Sequence, residues 1–441
     1  MKRILCLIVL LGLALGVQSQ QTFESAKADS LLQLLQDNQR WMGAVMLRKN
    51  GEIVYQKAIG MSDMESDIPN TTQTRFRIGS QTKTFTAVMI LQLVQENKLQ
   101  LDAPLKDFYP EIPNAAQISI AQLLRHQSGI FNFTNDPDYM TYHTNPLSKA
   151  DMVEKIAAYQ SAFEPGSQTE YSNSNYVLLG FILENITGKN YAENLKKRIT
   201  EPLGLVNTYY GSKINPDASE AYSYKWEGGT FVPEAETDMQ IPHGAGAVVS
   251  TVGDLTLFLE ALFDGELLDQ KHFDEMTRLQ DQFGCGLFRT PFYTHEGMGH
   301  TGGIDGFSSM MSYFPEEGLS VSFLSNGSRY SNNDVGIALL SNYFGMEYDF
   351  PVFILVEIDE ELLQSYSGLY SSPLVPLKLS IAAKNGQLEG QGSGQPAFPL
   401  EAVNDSTFRF DMAGVRIVFQ NDSLVLYQGG MTFRMGKELS E

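Results

Sequence analysis

The sequence predicts an α+β protein: an antiparallel sheet flanked by helices, a helical lobe inserted into it, and a small all-β unit at the C-terminus. Three observations carry that expectation. Strand-like segments lie near residues 43–58 and again at 307–324. Between them, across 101–246, the chain reads as helices and loops. Beyond residue 356 it changes to short alternating runs separated by turn residues.

Taken in order, residues 25–39 place Leu31, Leu32, Leu34 and Leu35 on one helical face. A hairpin follows, with strands at 43–47 and 52–58 around Asn50-Gly51, a pair that favours a two-residue turn. Helices are expected at 84–94, 120–124, 149–158, 175–186 and 254–263. Strands return at 307–314 and 319–324 around Pro315-Glu316-Glu317-Gly318, and a last helix is expected at 333–343. The simplest assembly joins the two groups of strands in one sheet covered by the terminal helices, with the intervening region as a second lobe. A cleft between lobes is a usual place for a small-molecule site. In the C-terminal unit, runs at 378–381, 407–410, 415–419 and 424–427 are separated by Asn385-Gly386, Asn404-Asp405 and Asn421-Asp422.

The chain has 441 residues, 43% of them hydrophobic, enough for two or three domains of about 150 residues. That composition excludes disordered, collagen-like and coiled-coil classes. Lys and Arg number 31 against 52 Asp and Glu, a net charge of −21. The longest basic run is Lys196-Lys197-Arg198, so nucleic acid is not an expected partner.

Residues 1–19 read as a secretory signal peptide: Met1-Lys2-Arg3, an apolar run over 4–17, then Val17 and Ser19 in cleavage-site positions. The apolar run falls short of the roughly 20 residues that a spanning helix needs. The expected units are therefore 1–19 (signal), 20–350 (main globular unit) and 356–441 (β-rich), in a periplasmic or secreted protein with no stable membrane anchor after cleavage. Cys6 would leave with the signal. Cys285 then stands alone without an intramolecular disulfide partner, and its Gly284 and Gly286 neighbours mark it as a small packing residue.

Three motifs carry chemistry. Ser80-Gln81-Thr82-Lys83 opens a strongly apolar helix, and helical spacing sets Lys83 beside Ser80. A serine hydroxyl needs a neighbouring base to become a nucleophile, and burial makes a lysine a better base. Free N–H groups at the helix start can stabilise an oxyanion. Taken by itself, the plainer reading of this motif is an N-cap serine followed by an ordinary lysine. Tyr171-Ser172-Asn173 offers a phenol for proton exchange and an amide for a substrate carbonyl. Tyr330-Ser331-Asn332 repeats that triplet, but it follows Ser325-Asn326-Gly327-Ser328, which reads as an exposed loop, and is expected to start a surface helix; its place in chain order does not suit the third motif and marks it as the decoy. His300-Thr301-Gly302-Gly303 would let a strand edge approach a substrate closely, its Gly303 N–H pairing with that of Ser80 as an oxyanion hole. A simple glycine turn, or a metal site from His295, Glu296 and His300, are the competing readings; the spacing is not H-E-x-x-H, and neither metal nor cofactor is expected.

Taken together, Ser80-x-x-Lys83, Tyr171-x-Asn173 and His300-Thr301-Gly302, in that order, resemble the motifs of the serine β-lactamase and penicillin-binding protein superfamily, on its class C side. Leu123-Leu124-Arg125-His126-Gln127-Ser128-Gly129, Ala245-Gly246-Ala247-Val248-Val249-Ser250-Thr251 and Gly302-Gly303-Ile304-Asp305-Gly306-Phe307 agree, and the resemblance covers 44–326. It implies a β-lactamase/transpeptidase-like fold followed by the β-rich domain. It also implies an acyl-enzyme on Ser80, Lys83 and Tyr171 sharing the base role, and Ser80 with Gly303 as the oxyanion pair. Asn173, His300, Thr301 and Gly302 would hold a small-molecule or peptide substrate. The sequence departs from class C enzymes at His300, where they usually carry Lys. A histidine with a reference pKa of about 6.5 is largely neutral at neutral pH, so its hold on a β-lactam carboxylate is weaker. His-Thr-Gly is more similar to the carboxypeptidases, D-aminopeptidases and esterases of the superfamily. The expectations are thus a D-Ala-D-Ala-type peptidase or esterase, with alternatives of a β-lactamase or a penicillin-binding sensor that does not turn over. Lys83 and His300 are expected to make the pocket locally positive. His126 and His243 are taken as structural, Asp305 and Tyr209-Tyr210 as cleft lining. Tyr370 and Tyr427 are the exposed aromatics through which the β unit could bind a polymer or partner.

Overall fold

The computed structural model describes residues 23–227, 229–353, 356, 358–384, 386–428 and 431–438. The expected signal peptide and Cys6 lie outside these residues. The N-terminal helix α1 (Ser25–Asp37) leads into β1 (Trp41–Lys49) and β2 (Glu52–Ile59). Asn50 and Gly51 between the strands have φ of 49° and 83°, the two positive values of the tight hairpin turn that Asn-Gly favours. The helical lobe is centred on α2 (Thr82–Gln95) and α3 (Asn173–Thr187), and α4 (Val252–Phe263) packs behind the sheet. Strands β3 (Met298–Ile304), β4 (Phe307–Phe314) and β5 (Leu319–Ser328) then bring the chain back, and α5 (Asn332–Phe344) closes this region.

The two ends do form one antiparallel sheet, in the order β3-β4-β5-β1-β2, with Ala44 opposite Leu324 and Ala58. Residues 41–47 of β1 are buried without interruption, which an amphipathic strand would not show. The reason is that both faces are covered: period-two alternation sends Ala44 and Met46 toward α2, α3 and α4, and Val45 and Leu47 toward α1 and α5. Helix α2 is likewise buried on nearly every side, Phe85 stacking on Phe258 of α4 at 3.9 Å.

In this region the structure departs from the sequence expectation in two places. The inserted region is not purely helical, because Tyr224–Glu227 and Thr230–Pro233 form a hairpin joined to β5 at Gly327. Residues 325–328, read as an exposed loop, continue β5, and Ser325 and Asn326 are fully buried. Their polarity is met internally: Asn326 Nδ2 donates to the Met61 and Tyr222 carbonyls at 2.9 and 2.8 Å. The repeated triplet lies at the start of α5, where Ser331 accepts from the Asp334 N–H as an N-cap.

The C-terminal unit is a closed barrel of eight strands, from Gly368–Ser372 to Met431–Lys437, shut by pairing of Tyr370 with Lys437. Closure leaves no free sheet edge. Tyr370 is fully buried and its hydroxyl donates to the Tyr366 carbonyl at 2.8 Å, so it belongs to the barrel core and is no exposed platform. The Arg416 guanidinium lies 4.2 Å from the half-buried Tyr427 ring. Arg40 and Arg329 of the sheet region reach Glu401 of the barrel at 3.0 and 2.6 Å.

Candidate active site

The turn that presents Ser80 is set by its glycine. Phe76–Arg77 pairs with Val249 and Ser250, and the chain then turns through Gly79 with φ of +52° into a short 3-10 turn ahead of α2. A Cβ on Gly79 would also lie 2.8 Å from the Gly303 carbonyl oxygen, so the position needs glycine for conformation and for approach. Ser80 is therefore not a helix cap. It stands one turn before Lys83, whose Nζ lies 3.0 Å from Ser80 Oγ, 2.7 Å from Asn173 Oδ1 and 2.7 Å from the Ala245 carbonyl.

Lys83 is fully buried, and no carboxylate is among those three partners. Burial holds its pKa well below the ordinary lysine value. A neutral amine has two N–H donors and one lone pair. Asn173 and Ala245 take the donors, leaving the lone pair to accept the Ser80 proton. Tyr171 completes the group: its ring centre lies 4.9 Å from Lys83 Nζ and 4.5 Å from the His126 ring. Burial raises the Tyr171 pKa, opposed only by the Ser80 hydroxyl, so at neutral pH it is a phenol.

Two partners here, Asn132 and Thr134, carried no recognisable sequence signal. The Asn173 amide donates to Asn132 Oδ1 at 3.2 Å and Thr134 Oγ1 at 3.0 Å, so its donors are engaged in holding it against Lys83. Asn132 and Thr134 lie 41 and 39 residues upstream, Thr134 in the short 3-10 turn Phe133–Asn135, and Ala245 contributes its backbone carbonyl. His126, taken as structural, is 2% exposed and accepts from the Ser172 N–H at 3.1 Å. It braces Tyr171 from behind.

The third motif forms the free edge of β3, since Phe288–Arg289 pairs only with Gly299 and Met298. A Cβ on Gly302 would fall 2.0 Å from the Ile78 carbonyl and 3.0 Å from Ser80 N. The strand backbone thus lies directly against the Ser80 turn, and Gly303 beside it. His300 is 3% exposed, with Nδ1 2.5 Å from the Thr301 carbonyl oxygen; Nδ1–H donates there, an assignment from the contact. Burial, then the nearby Lys83, push its pKa down to about 3, so it is neutral. Thr301 is exposed. The expected positive pocket is therefore weakened: burial leaves His300 neutral and disfavours the charge on Lys83. His295 pairs with Glu317 at 2.5 Å, Glu296 with Arg289, and His300 with its neighbour's backbone, so the three do not converge on a metal.

Ser80, Asn173 and Gly303 open into a cavity of about 460 Å³ that Thr237, Glu234 and Asp305 also line. Asp305 is buried against Arg77 at 2.9 Å, and accepts from the Thr237 N–H and hydroxyl at 3.1 and 2.6 Å. Tyr209–Tyr210 lies elsewhere: it pairs with Val248 and Val249, and the Tyr210 hydroxyl meets His243 Nδ1 at 3.0 Å. Cys285 is fully buried, and burial pushes its thiol up to about 12, as an inert packing residue requires.

Comparison with known proteins agrees with this geometry. Residues 28–344 match the β-lactamase family model. Penicillin-binding protein 4* of Bacillus subtilis is 26% identical over 91% of this chain and 96% of its own length. The teichoic acid D-alanine hydrolase of Staphylococcus aureus is 27% identical over 56% of this chain. That match spans 62% of the relative's own length. Among solved structures, the D-amino acid amidase of Ochrobactrum anthropi superposes with a TM-score of 0.63 at 28% identity, covering 73% of this chain and 99% of the amidase. The chain belongs to the β-lactamase family, as a serine hydrolase of the superfamily that holds penicillin-binding proteins and D-amino acid amidases.

Proposed function

We propose that the chain is an exported acyl hydrolase that cleaves an amide or ester bond through an acyl-enzyme on Ser80. The observation that carries this is the buried Lys83 amine, 3.0 Å from Ser80 Oγ and held by Asn173 and Ala245. In the proposed cycle Ser80 Oγ attacks the carbonyl carbon and its proton passes to Lys83 Nζ. The Ser80 and Gly303 N–H groups receive the developing oxyanion. As the tetrahedral adduct collapses, the Tyr171 phenol protonates the leaving nitrogen or oxygen and is refilled from Lys83. Water then attacks the acyl carbon, its proton passing through Tyr171 to Lys83, and Ser80 recovers the proton as the acid departs. In this cycle the structure favours Lys83 as the base and Tyr171 as the proton carrier, a division of the role the two were expected to share.

For the substrate, we favour a D-alanyl amide or ester, of the D-Ala-D-Ala peptide or esterase type. The neutral His300 supports a D-alanyl amide or ester with no carboxylate beside the scissile bond, since no fixed cation stands at that position to hold one. The names of the S. aureus and O. anthropi relatives point the same way. Acylation by β-lactams is the second reading, favoured by the near full-length match to a penicillin-binding protein. Rates on a D-Ala-D-Ala peptide, D-alaninamide, p-nitrophenyl esters and nitrocefin, each beside Ser80→Ala, separate these. Equal behaviour of wild type and variant throughout would remove Ser80 from the mechanism. Export through residues 1–19 predicts a mature N-terminus at Gln20, read by N-terminal sequencing. Units at 20–350 and 356–441 predict protease cutting first within 345–358.

A further inference from the structure

We propose that the barrel is part of the substrate site, forming a second pocket for an uncharged, apolar arm of the molecule that acylates Ser80. This inference rests on the reading of Ser80 given above. A cavity of about 570 Å³ lies where the barrel meets the sheet region. It shares Glu234 and Asp305 with the Ser80 cavity. The chain itself links them: Gly303 and Ile304 of β3 line the first, Asp305 lines both, and Gly306, Phe307 and Ser308 line the second. A substrate too large for the Ser80 cavity has this pocket next to it.

The chemistry of the arm follows from the lining. Trp226, Pro399, Phe410 and Met412 make its apolar surface, and Met412 is 52% exposed, an apolar side chain left open to solvent. Every charge around the pocket already has an opposite partner. Arg40 is 3.0 Å from Glu401 and 3.3 Å from Asp411, and Arg329 is 2.6 Å from Glu401. Lys225 is 4.0 Å from Glu234, and Asp305 is held by Arg77. No uncompensated charge is left to hold an ionic group, so the pocket selects an alkyl or aryl arm by burial.

The experiment compares two probes differing only in the arm, acetyl- and decanoyl-D-alanine p-nitroanilide, with the full chain. Each methylene that enters adds up to about fourfold in affinity; we expect kcat/KM at least 30-fold higher for the decanoyl probe. In Met412→Asp that ratio should fall by tenfold or more. Binding is read without turnover from tryptophan emission in Ser80→Ala. The chain has two Trp residues; Trp226 lines the pocket, whereas Trp41 is 1% exposed and donates from Nε1 to the lining residue Asn332 at 2.6 Å, so Trp226→Phe decides which of them reports the arm. A saturable change with decanoyl-D-alaninamide, absent with the acetyl form and lost in Trp226→Phe, supports the pocket. A chain-length ratio near one, or a ratio or emission change untouched by Met412→Asp, overturns it. Turnover that survives Ser80→Ala instead removes the parent reading, whatever the binding arm shows.

Discussion

Gly302→Ala should disable the enzyme while leaving it folded. The added methyl would sit 2.0 Å from the Ile78 carbonyl oxygen and 2.5 Å from Ser309 Oγ, whereas ordinary contact begins at 3.4 Å. Ile78 is fully buried and its carbonyl belongs to the turn that carries Ser80, so β3 must retreat by about 1.4 Å in a close-packed interior. That displacement carries Gly303 away from Ser80. Misplacement of about 1 Å costs on the order of 10²-fold in rate, and loss of one oxyanion donor costs about 10²–10³-fold. Overpacking costs a further 1–3 kcal/mol or so in stability. The assay is kcat and KM on a p-nitrophenyl ester, with denaturant unfolding alongside. The loss should fall on kcat, since the contact matters most as charge develops. Gly253→Ala in α4, whose methyl finds nothing nearer than 3.8 Å, is the matched substitution and should gain about 0.5–1 kcal/mol. A Gly302→Ala enzyme within threefold of wild type would refute the claimed apposition of β3 and the Ser80 turn.

Because burial lowers the Lys83 pKa, the free amine persists to lower pH than an ordinary lysine allows, and kcat/KM should fall on acidification through that lowered value; a rate still climbing toward pH 10 contradicts it. His300→Lys should raise penicillin acylation relative to ester hydrolysis by tenfold or more, since a charged hydrogen bond adds about 1.5–3 kcal/mol, as read by stopped-flow competition. Burial raises Asp411 from 3.8 to about 6, so the folded chain binds more protons than the unfolded one between those values and stability falls as pH rises across them. Asp411→Asn should flatten that decline in denaturant titrations at pH 4, 5 and 6; an unchanged slope would assign it to another group.

What could be read from sequence was what repeats locally or stands in a fixed motif. The Asn50-Gly51 hairpin, the α5 helix and the three motifs follow from neighbours within a few residues. Meeting of the two strand groups in one sheet followed from edge pairing and burial alone. Residues 325–328 misled because their polar composition resembles a loop, while long-range carbonyls from Met61 and Tyr222 satisfy Asn326 inside the fold. Tyr370 misled in the opposite sense, since barrel closure buries a side chain whose local sequence is unremarkable for an exposed strand. At the site, Asn132 and Thr134 were invisible because they act through tertiary placement, and the stretch from Ala245 carried the resemblance without showing that its carbonyl holds Lys83. The positive pocket expected of Lys83 and His300 was misjudged because the extent of their desolvation belongs to the folded interior.

The central claim is covalent chemistry at Ser80 driven by an uncharged Lys83. Intact-mass analysis after rapid mixing with a D-alanyl ester or a fluorescent penicillin, followed by peptide mapping, tests it directly. One acyl group on the peptide containing Ser80, absent in Ser80→Ala and formed at least 10³-fold more slowly in Lys83→Ala, is the predicted result. Turnover without any adduct in either substrate class, or an adduct on another residue, would contradict the account.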